Sequence, residues 1–439
     1  MKPIVAIVGR PNVGKSTIFN KLAGERISIV EDSPGVTRDR IMAEAEWLNK
    51  YFTIIDTGGI EPSNEELIFK KMREQAMLAM DMADVILFVV DAKAGVTPQD
   101  SDVAVLLRKT KKPIILVANK VDNRNLPDNF YDLYELGMGE PFAVSGVNAL
   151  GFGDLLDEVI SHFAHDADTD MDDGVTKVAI VGKPNAGKSS IINRMLGEER
   201  VIVSPIAGTT RDAIDTYTEI NDKKYLFIDT AGIRRQSKVD ENIERYSVIR
   251  SYAAIERSDV VLVVIDAMEG ISEQDSKIAG FAHDQGKCTI IIVNKWDLPE
   301  KDNHTMNEYI KSIRTELPFM MYAPILFIST VSGQRFDQII GKIDEVVEQA
   351  SKRIPTGLLN DVIGEAVMLN QPPSDKGKRL KIYYATQVGV KPPTFTVFIN
   401  DDELFHFSYL RYIENRIRES FGFDGTPLVF KKREKGGKR

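Results

Sequence analysis

The sequence predicts an α/β protein in which one domain, a mostly parallel β-sheet with helices on both faces, occurs twice. One observation is that the segment 7–16 recurs at 180–189, a shift of 173 residues. A second is that three further short motifs recur in the same order, with shifts of 173 or 175. A third is that continuously apolar runs, such as 85–90 and 113–118, alternate with segments of helical spacing, such as 154–160. Strands buried on both faces of a parallel sheet have this pattern.

The repeat also sets the expected domain boundaries. The chain has 439 residues, enough for about three domains. We expect a first domain at 1–164, a second at 176–351 and a third at 352–439. The segment 165–175 between the two copies contains five aspartates within 166–174. Because like charges repel and the segment has no apolar face, it is predicted to be an extended acidic linker.

Composition excludes several classes of protein. With 43% hydrophobic and 28% charged residues, the chain is neither fibrous nor wholly disordered. Its apolar runs are far shorter than the roughly 18 residues of a membrane span, and its first residues lack a signal-peptide core. We therefore expect a cytoplasmic protein. The single cysteine, Cys288, has no partner for an internal disulfide and is expected to be a buried thiol at a strand edge.

Charge is distributed unevenly along the chain. The net charge is −9, but 352–439 carries 16 Lys and Arg against 10 Asp and Glu. A basic segment on an acidic body indicates an anionic partner for that segment. The last residues, 431–439, are strongly basic. They are either part of this surface or a solvated terminus.

Each copy contains Gly-x-x-x-x-Gly-Lys-Ser between a predicted strand and a predicted helix. Such a loop wraps a phosphate with backbone N–H groups, and glycine permits the backbone angles that this requires. We expect Lys15 and Lys188 to contact the β- and γ-phosphates. Ser16 and Ser189 are the expected Mg²⁺ ligands. The candidate residues of the two loops are Gly9, Arg10, Pro11, Asn12, Val13, Gly14, Lys15, Ser16, Thr17, Gly182, Lys183, Pro184, Asn185, Ala186, Gly187, Lys188, Ser189 and Ser190.

A second motif adds candidates for the metal ion and the γ-phosphate. Asp56 and Asp229 end the next apolar strand of each copy, where an acid can hold Mg²⁺. Gly59 and Gly232, three residues later, can bring a backbone N–H to the γ-phosphate. Loop threonines, Thr37 and Thr210, are further candidates for Mg²⁺ and the γ-phosphate. The remaining candidates of this motif are Thr57, Gly58, Ile60, Thr230, Ala231 and Ile233.

The motif Asn-Lys-x-Asp predicts which base is bound. A carboxylate accepts hydrogen bonds from N1–H and the N2 amine of guanine, whereas adenine offers no such pair of donors. Asp122 and Asp297 are assigned this role. The asparagines are expected either to contact the base or to tie loops together, and the lysine stems to cover its face. The other base-site candidates are Asn119, Lys120, Val121, Asn294, Lys295, Trp296, and, as possible backbone donors to the base oxygen, Ser145, Gly146, Ser329 and Thr330.

These motifs, in this order and twice, resemble those of the Era-like branch of the Ras-like P-loop GTPases. A tandem pair followed by a small basic domain resembles the Der (EngA) family of GTPases of bacterial ribosome assembly. The resemblance implies a C-terminal KH-like α+β domain, GTP hydrolysis with GTP, GDP and Mg²⁺ as ligands, and binding to the large ribosomal subunit and its ribosomal RNA. We further expect a monomer that binds neither membranes nor DNA. Two alternatives stay open: a GTPase of another RNA process such as transfer-RNA modification, and a nucleotide-binding module with negligible hydrolysis.

The C-terminal segment departs from an ordinary RNA-gripping KH domain. It lacks the Gly-x-x-Gly loop that clamps nucleotides, and 377–379 is only a partial match. Basic residues there either contact duplex phosphates or a ribosomal surface, or form a solvated face at a domain interface. They are Lys376, Lys378, Arg379 and Lys381.

Hydrolysis is expected to depend on a group other than the usual glutamine. Ras-type enzymes orient water with a glutamine after Asp-x-x-Gly, and here Ile60 and Ile233 occupy that position. Similar GTPases use a P-loop asparagine to bind K⁺ beside the phosphates, which points to Asn12 and Asn185. The alternative is that these asparagines only brace a switch loop. The candidate catalytic residues are Asn12, Lys15, Thr37, Gly59, Asn185, Lys188, Thr210 and Gly232.

The two copies are not expected to be redundant. The segment 234–238 reads Arg-Arg-Gln-Ser-Lys, whereas 61–65 of the first copy reads Glu-Pro-Ser-Asn-Glu. The two switch regions therefore differ by several charges. We expect the domains to differ in affinity, rate or partner.

Overall fold

A computed structural model describes residues 3–23, 42–56, 65–122, 126–163, 174–197, 202–203, 215–230, 244–372, 374–375 and 378–434. The chain divides into two compact units, Met1–Met171 and Asp172–Arg439. The predicted domains 176–351 and 352–439 therefore form one compact unit. Residues 165–173 of the predicted linker lie outside the described residues.

The first unit contains a six-stranded sheet in the order β2-β3-β1-β4-β5-β6. All neighbouring pairs are parallel except β2 with β3. The strands are β1 (Ile4–Val8), β2 (Met42–Trp47), β3 (Lys50–Asp56), β4 (Val85–Asp91), β5 (Ile114–Asn119) and β6 (Phe142–Ala143). The helices are α1 (Lys15–Ala23), α2 (Glu65–Met82), α3 (Pro98–Leu107) and α4 (Phe152–Ser161), with a 3-10 helix at Asp128–Leu136.

The second unit repeats this sheet with one extra edge strand, in the order β13-β12-β11-β7-β10-β9-β8. Its strands are β7 (Val175–Val181), β8 (Ile202–Val203), β9 (Thr216–Ile220), β10 (Lys223–Ile228), β11 (Val260–Asp266), β12 (Cys288–Asn294) and β13 (Ile325–Phe327). Its helices are α5 (Lys188–Leu196), α6 (Glu244–Arg257), α7 (Glu273–Asp284), α8 (Thr305–Glu316) and α9 (Gln338–Ser351), with a 3-10 helix at Pro318–Met320. β7 begins one residue inside the predicted linker, because Val175 already pairs with Lys224.

Helices cover both faces of the second sheet, as predicted. On one face, α5 and α9 contribute buried side chains such as Ile191 and Ile343. On the other, α6, α7 and α8 contribute side chains such as Ile255 and Ile278. The continuously apolar central strands belong between these layers, because each of their side chains meets a helix. Cys288 is buried as the first residue of β12, which confirms the expectation for it.

The C-terminal part of the second unit is α+β. It consists of α10 (Thr356–Leu369), β14 (Ser374–Asp375), β15 (Lys378–Arg379), β16 (Ile382–Gly389), β17 (Thr394–Ile399), α11 (Phe407–Phe421) and β18 (Val429–Glu434). β17 pairs antiparallel with β16 and parallel with β18. The two helices pack on this sheet through one apolar cluster that includes Ile363, Ile413 and Val397.

This C-terminal part packs directly onto the seven-stranded sheet of the second unit. Thr289 of β12 donates its N–H to the carbonyl oxygen of Gly425 at 2.7 Å, and the Gly425 N–H donates to Tyr322 O at 2.9 Å. The guanidinium of Arg418 lies 4.8 Å from the centre of the Tyr322 ring. These contacts explain why the two predicted domains form one unit. In the described part of the chain, no helix is long and apolar enough to cross a membrane.

Candidate functional site

The predicted motifs meet at the same edge of each sheet. In the first unit, the P-loop follows β1, Asp56 ends the adjacent β3, and Asn119 ends β5. In the second unit, the P-loop follows β7 and Asn294 ends β12. These strands are parallel, so their carboxyl ends form one edge. In open α/β sheets, ligands bind at this edge.

The P-loop glycines allow the loop to approach the base motif closely. Gly14 has φ 92°, and a Cβ there would lie 2.3 Å from Asn119 Nδ2. Gly187 has φ 97°, and its Cβ would lie 2.0 Å from Asn294 Nδ2. Only glycine therefore fits at either position, because any side chain would both strain the backbone and collide with the asparagine.

The P-loop lysines are buried in both copies. Lys15 Nζ donates to the carbonyl oxygens of Gly9 and Arg10, both at 2.8 Å. Lys188 Nζ donates to Gly182 O at 2.7 Å and to Lys183 O. Burial lowers the pKa of Lys188 to about 8, while the negative charge of Asp275 opposes this shift. A buried ammonium folded onto backbone carbonyls at the mouth of such a loop suits an anionic ligand.

Two of the predicted Mg²⁺ ligands come together in the first copy. Ser16 Oγ donates to Asp56 Oδ2 at 2.8 Å, and Asp56 is buried. The second copy is arranged differently around Asp229, whose φ is 56°. Its N–H donates to Asp215 Oδ1 at 2.8 Å, and Asp215 is itself ion-paired with Arg257.

The base-motif asparagines tie two loops together, which is one of the two roles predicted for them. Asn119 Nδ2 donates to Val13 O at 2.7 Å, and its Oδ1 accepts from the N–H of Gly146 at 3.0 Å. Asn294 does the same, donating to Ala186 O at 2.9 Å and accepting from Thr330 N–H at 3.3 Å. Each asparagine thus joins the phosphate loop to the loop predicted to read the base.

Hydrogen bonds favour the ionised form of the two carboxylates that are predicted to read the base. Hydrogen bonds from Lys93 and Ser145 lower the pKa of Asp122, at distances of 2.6 Å to Oδ2 and 2.7 Å to Oδ1. A hydrogen bond from Ser329 lowers the pKa of Asp297. An ionised carboxylate is an acceptor only, as recognition of the guanine N1–H and N2 amine requires.

Sequence reasoning missed the aspartates that hold the base-motif lysines. Lys120 Nζ donates to Asp91 Oδ2 at 2.7 Å, and Lys295 Nζ donates to Asp266 Oδ2 at 2.5 Å. Burial raises the pKa of Asp91, but the hydrogen bonds from Lys120 and from the backbone outweigh it and lower the pKa overall. The signal was present, because each aspartate ends a continuously apolar strand at the repeat shift of 175.

A second missed pair caps helices near the phosphate loops. Asp100 and Asp275 are fully buried at the third position of α3 and α7, where each forms a reciprocal capping box. Asp100 Oδ2 also lies 3.3 Å from Arg10 Nε. The signal was a Thr or Ser three residues before an Asp at the start of a helical pattern.

The predicted backbone donors of the base loops are already engaged within the protein. The N–H of Ser145 donates to Leu150 O at 3.0 Å, and that of Ser329 to Gln334 O at 3.2 Å. Gly146 and Thr330 donate to the asparagines, as described above. The next N–H along, of Val147 or Val331, makes no hydrogen bond within the described ranges.

Two predicted base-site residues belong to the core instead. Trp296 is buried, and its ring packs against Tyr309 and Phe327 at 5.0 and 4.4 Å. Val121 is buried as well. The variable position of the motif is therefore filled by an apolar side chain, because it points into the sheet–helix interior. Asn12 and Asn185 instead are exposed and have φ values of 63° and 65°.

Several predicted residues lie outside the described residues, so their placement stays a prediction. They are Thr37, Thr57, Gly58, Gly59, Ile60, Thr210, Ala231, Gly232, Ile233 and Lys376. Thr230 is described and buried, with its hydroxyl 2.7 Å from that of Thr216. Among the basic candidates of the C-terminal part, Lys378, Arg379 and Lys381 are exposed.

The sequence of this chain is similar to those of known GTPases. Residues 4–120 and 177–295 match a family model described as 50S ribosome-binding GTPase. Residues 353–433 match a model described as the KH-domain-like, C-terminal part of EngA bacterial GTPase enzymes. The chain is 64% identical over 437 residues to GTPase Der of Alkaliphilus oremlandii, covering 100% of this chain and 99% of that protein. It is 63% identical over 437 residues to GTPase Der of Alkaliphilus metalliredigens, with the same coverage. A crystal structure of Era with MgGDPNP and a segment of 16S ribosomal RNA aligns with 60% of this chain and 93% of that one, at 24% identity and a TM-score of 0.31.

Proposed function

Because this chain belongs to the Der family of GTPases, we propose that it is a switch with two guanine-nucleotide sites that acts in maturation of the large ribosomal subunit. GTPase identity and the fold, two tandem P-loop GTPase domains and a KH-like domain, follow from the family. The observation that carries the two-site proposal is that the same arrangement of side chains occurs in both copies. In each copy a buried P-loop lysine faces the phosphate cradle, and a carboxylate with a lowered pKa stands ready for the purine edge.

The residues present fit a Mg²⁺ ion. Ser16 Oγ and Asp56 Oδ2 are 2.8 Å apart, which places a hydroxyl and a buried carboxylate side by side next to the phosphate cradle. Oxygen donors of this kind are what Mg²⁺ takes in P-loop sites. Ser16, Asp56, Ser189 and Asp229 would hold the ion, with Thr37 and Thr210 as further candidates. When bound, Mg²⁺ neutralises charge that develops on the β- and γ-phosphate oxygens.

We also propose that K⁺ stimulates hydrolysis in at least one domain. Asn12 and Asn185 support this, because both are exposed within the phosphate loop and neither side chain hydrogen-bonds to a described residue. A cation beside the phosphates stabilises charge as an arginine finger does, an effect of at most about 10³–10⁵-fold. The expected result is faster GTP turnover in K⁺ than in Na⁺ at matched ionic strength. Equal turnover, or stimulation that survives Asn→Ala replacement at both positions, argues for the loop-bracing role instead.

Two experiments test the guanine sites. Titration of the full chain with a fluorescent GDP should reach two equivalents. Replacing Asp122 or Asp297 by Asn should shift one equivalent each toward xanthine nucleotides, because an amide presents a donor to the base where the carboxylate accepted. A single equivalent in the wild type, or unchanged guanine preference in both variants, contradicts the proposed pockets.

The ribosomal role rests on charge and on the family. The segment 352–439 has an excess of six basic residues over acidic ones, and one matching family model is described as ribosome-binding. We expect salt-sensitive co-sedimentation of the full chain with large ribosomal subunits, because phosphate contacts weaken as salt rises. Binding should differ among the apo, GDP and non-hydrolysable GTP states. Binding to transfer RNA but not to subunits would favour the other RNA process. Cytoplasmic location and a monomeric state stay predictions.

A further inference from the structure

The loop that follows β13, residues 329–334, is the base loop of the second site. It is closed on itself by two backbone bonds, from Ser329 N–H to Gln334 O and from Gly333 N–H to Ser329 O, at 3.2 and 2.9 Å. Ser329 bonds to the carboxylate of Asp297. The loop thus touches the base-reading carboxylate directly, and its position sets where its N–H groups can meet a purine.

Arg194 of α5 grips this loop from behind. Its Nη1 donates to Thr330 O at 2.7 Å and lies 3.3 Å from Val331 O. Its guanidinium carbon is 5.4 Å from the centre of the Phe336 ring. The fit is close, because a Cβ on Gly333 would lie 2.3 Å from Arg194 Nη2. Arg194 therefore holds the carbonyl groups of Thr330 and Val331, and its guanidinium also lies against Gly333.

Fixing the Thr330 carbonyl also fixes the direction of an N–H group. The peptide between Thr330 and Val331 is planar, so its C=O and N–H point in opposite directions. With the carbonyl held by Arg194, the Val331 N–H points away from the guanidinium. On the other side of Thr330, the N–H already donates to Asn294 Oδ1 at 3.3 Å. The loop is thereby held between α5 and the base motif.

The first site lacks this brace. The repeat shift of 173 places Lys21 of α1 where Arg194 lies. Lys21 is exposed and makes no hydrogen bond or ion pair with any residue that the structure describes. Loop 145–150 is held from within instead, by paired backbone bonds between Ser145 and Leu150 and by Asn148, whose Nδ2 donates to Asp122 O at 3.3 Å. The two base loops are thus supported by different means.

We propose that Arg194 is a positioning residue that holds the base loop of the second site so that the Val331 N–H reads the O6 atom of guanine. The proposal deepens the guanine-site assignment and rests on it. It assigns to Arg194 an effect on the second site alone, and on recognition of O6 alone. The N1–H and the N2 amine belong to Asp297, which Arg194 does not contact.

The test measures dissociation of ribose-labelled nucleoside diphosphates from the full chain carrying Lys15→Ala, which removes the P-loop lysine and so disables phosphate binding at the first site whatever the base. Three nucleotides separate the groups of the base: GDP; inosine diphosphate, which lacks the N2 amine but keeps O6 and the N1–H; and 2-aminopurine riboside diphosphate, which lacks O6 and the N1–H and keeps the N2 amine. With Arg194→Gln, GDP and inosine diphosphate should dissociate about tenfold faster, the order expected for losing one charge-assisted hydrogen bond. The 2-aminopurine nucleotide should be unaffected. Arg194→Lys should restore part of the loss, because one donor and the charge remain.

The matched control is Lys21→Gln in the Asp297→Asn chain, which should leave GDP dissociation from the first site within about twofold. Equal acceleration of all three nucleotides by Arg194→Gln would show a general loosening of the pocket and overturn the proposal, as would no acceleration at all. Thermal melting of each variant identifies a chain that has failed to fold, for which Arg194→Lys gives the reading. If the parent chain binds GDP no better than ADP, the guanine-site assignment itself fails, and that outcome is distinguishable from the others.

Discussion

Replacing Gly425 by alanine should weaken the packing of the C-terminal part of the second unit on the seven-stranded sheet. Gly425 has φ 75°. Its N–H donates a hydrogen bond to Tyr322 O, and its carbonyl oxygen accepts one from the Thr289 N–H. An ideal Cβ there would lie 2.1 Å from Val346 Cγ1 and 3.4 Å from Pro324 Cδ. Val346 is fully buried in α9, so it has no free space into which to move.

The expected cost of Gly425→Ala follows from two effects. A left-handed backbone costs a residue with a Cβ about 1–2 kcal/mol. Forcing an extra carbon into a packed interior costs about 1–3 kcal/mol more. The free energy of unfolding of the second unit should therefore fall by about 2–5 kcal/mol. For a unit of this size, each kcal/mol corresponds to about 2–4 °C in Tm, so the Tm should fall by at least about 4 °C.

The assay uses tryptophan fluorescence. The chain has two tryptophans, and Trp47→Phe leaves Trp296 as the reporter of the second unit. The matched control is Gly364→Ala in α10, where a Cβ would meet nothing within 4 Å. Because alanine is the better helix former by about 1 kcal/mol, this variant should be as stable as the parent or slightly more so. A melt of Gly425→Ala that coincides with the parent, or with the Gly364→Ala control, would refute the reasoning.

Two further predictions concern charge. Lys93 must leave Asp122 Oδ2, 2.6 Å away, before guanine can use that oxygen. Because an exposed ion pair contributes about 0–1 kcal/mol, Lys93→Met should tighten GDP binding at the first site by up to about fivefold, making it like the second copy, which has Met268 at the repeat shift of 175. Weaker binding, measured by titration with the second site disabled, would mean that Lys93 supports the bound base. Burial, with a smaller contribution from Arg418, lowers the pKa of His283 to about 4, so the unfolded chain takes up a proton between about pH 6.5 and 4 that the folded chain does not. Stability should therefore fall as pH falls through that window, and His283→Gln should reduce the difference in Tm between pH 7 and pH 5; an undiminished difference would assign the acid sensitivity to other groups.

The parts of the fold that the sequence predicted are those governed by local pattern. A run such as 85–90 is apolar at every position. This pattern is typical of a strand that is covered on both faces, because the side chains on either face are then buried. The phosphate loops and the base carboxylates were predictable for a related reason, because each motif is a continuous stretch whose residues act together. Their arrangement along one edge followed from parallel strand order alone.

The braces behind the site could not be predicted in the same way. Lys120 and Asp91 are 29 residues apart. The repeat marks the aspartate, but only the pairing of β4 with β5 brings it against the lysine. The packing of the C-terminal part on the second sheet is further removed from local pattern. It depends on Gly425 lying against Val346, two residues with no shared motif. Such contacts arise from tertiary packing, and hydrophobic periodicity along the sequence does not predict them.

The same distinction bears on whether two sites with equal motifs behave equally. Most of the residues expected to touch nucleotide are identical in the two copies, so the residues that hold them are a further source of any difference in nucleotide exchange. Arg194 braces the second base loop where the first copy has Lys21, and Asp215 anchors the backbone of Asp229 where the repeat shift gives Met42. Each of these differences between the copies changes the mobility of a residue expected to touch nucleotide, although that residue itself is the same type or has the same role in both copies. The two sites should therefore share specificity while differing in rates, because specificity lies in the motifs and mobility in the residues behind them.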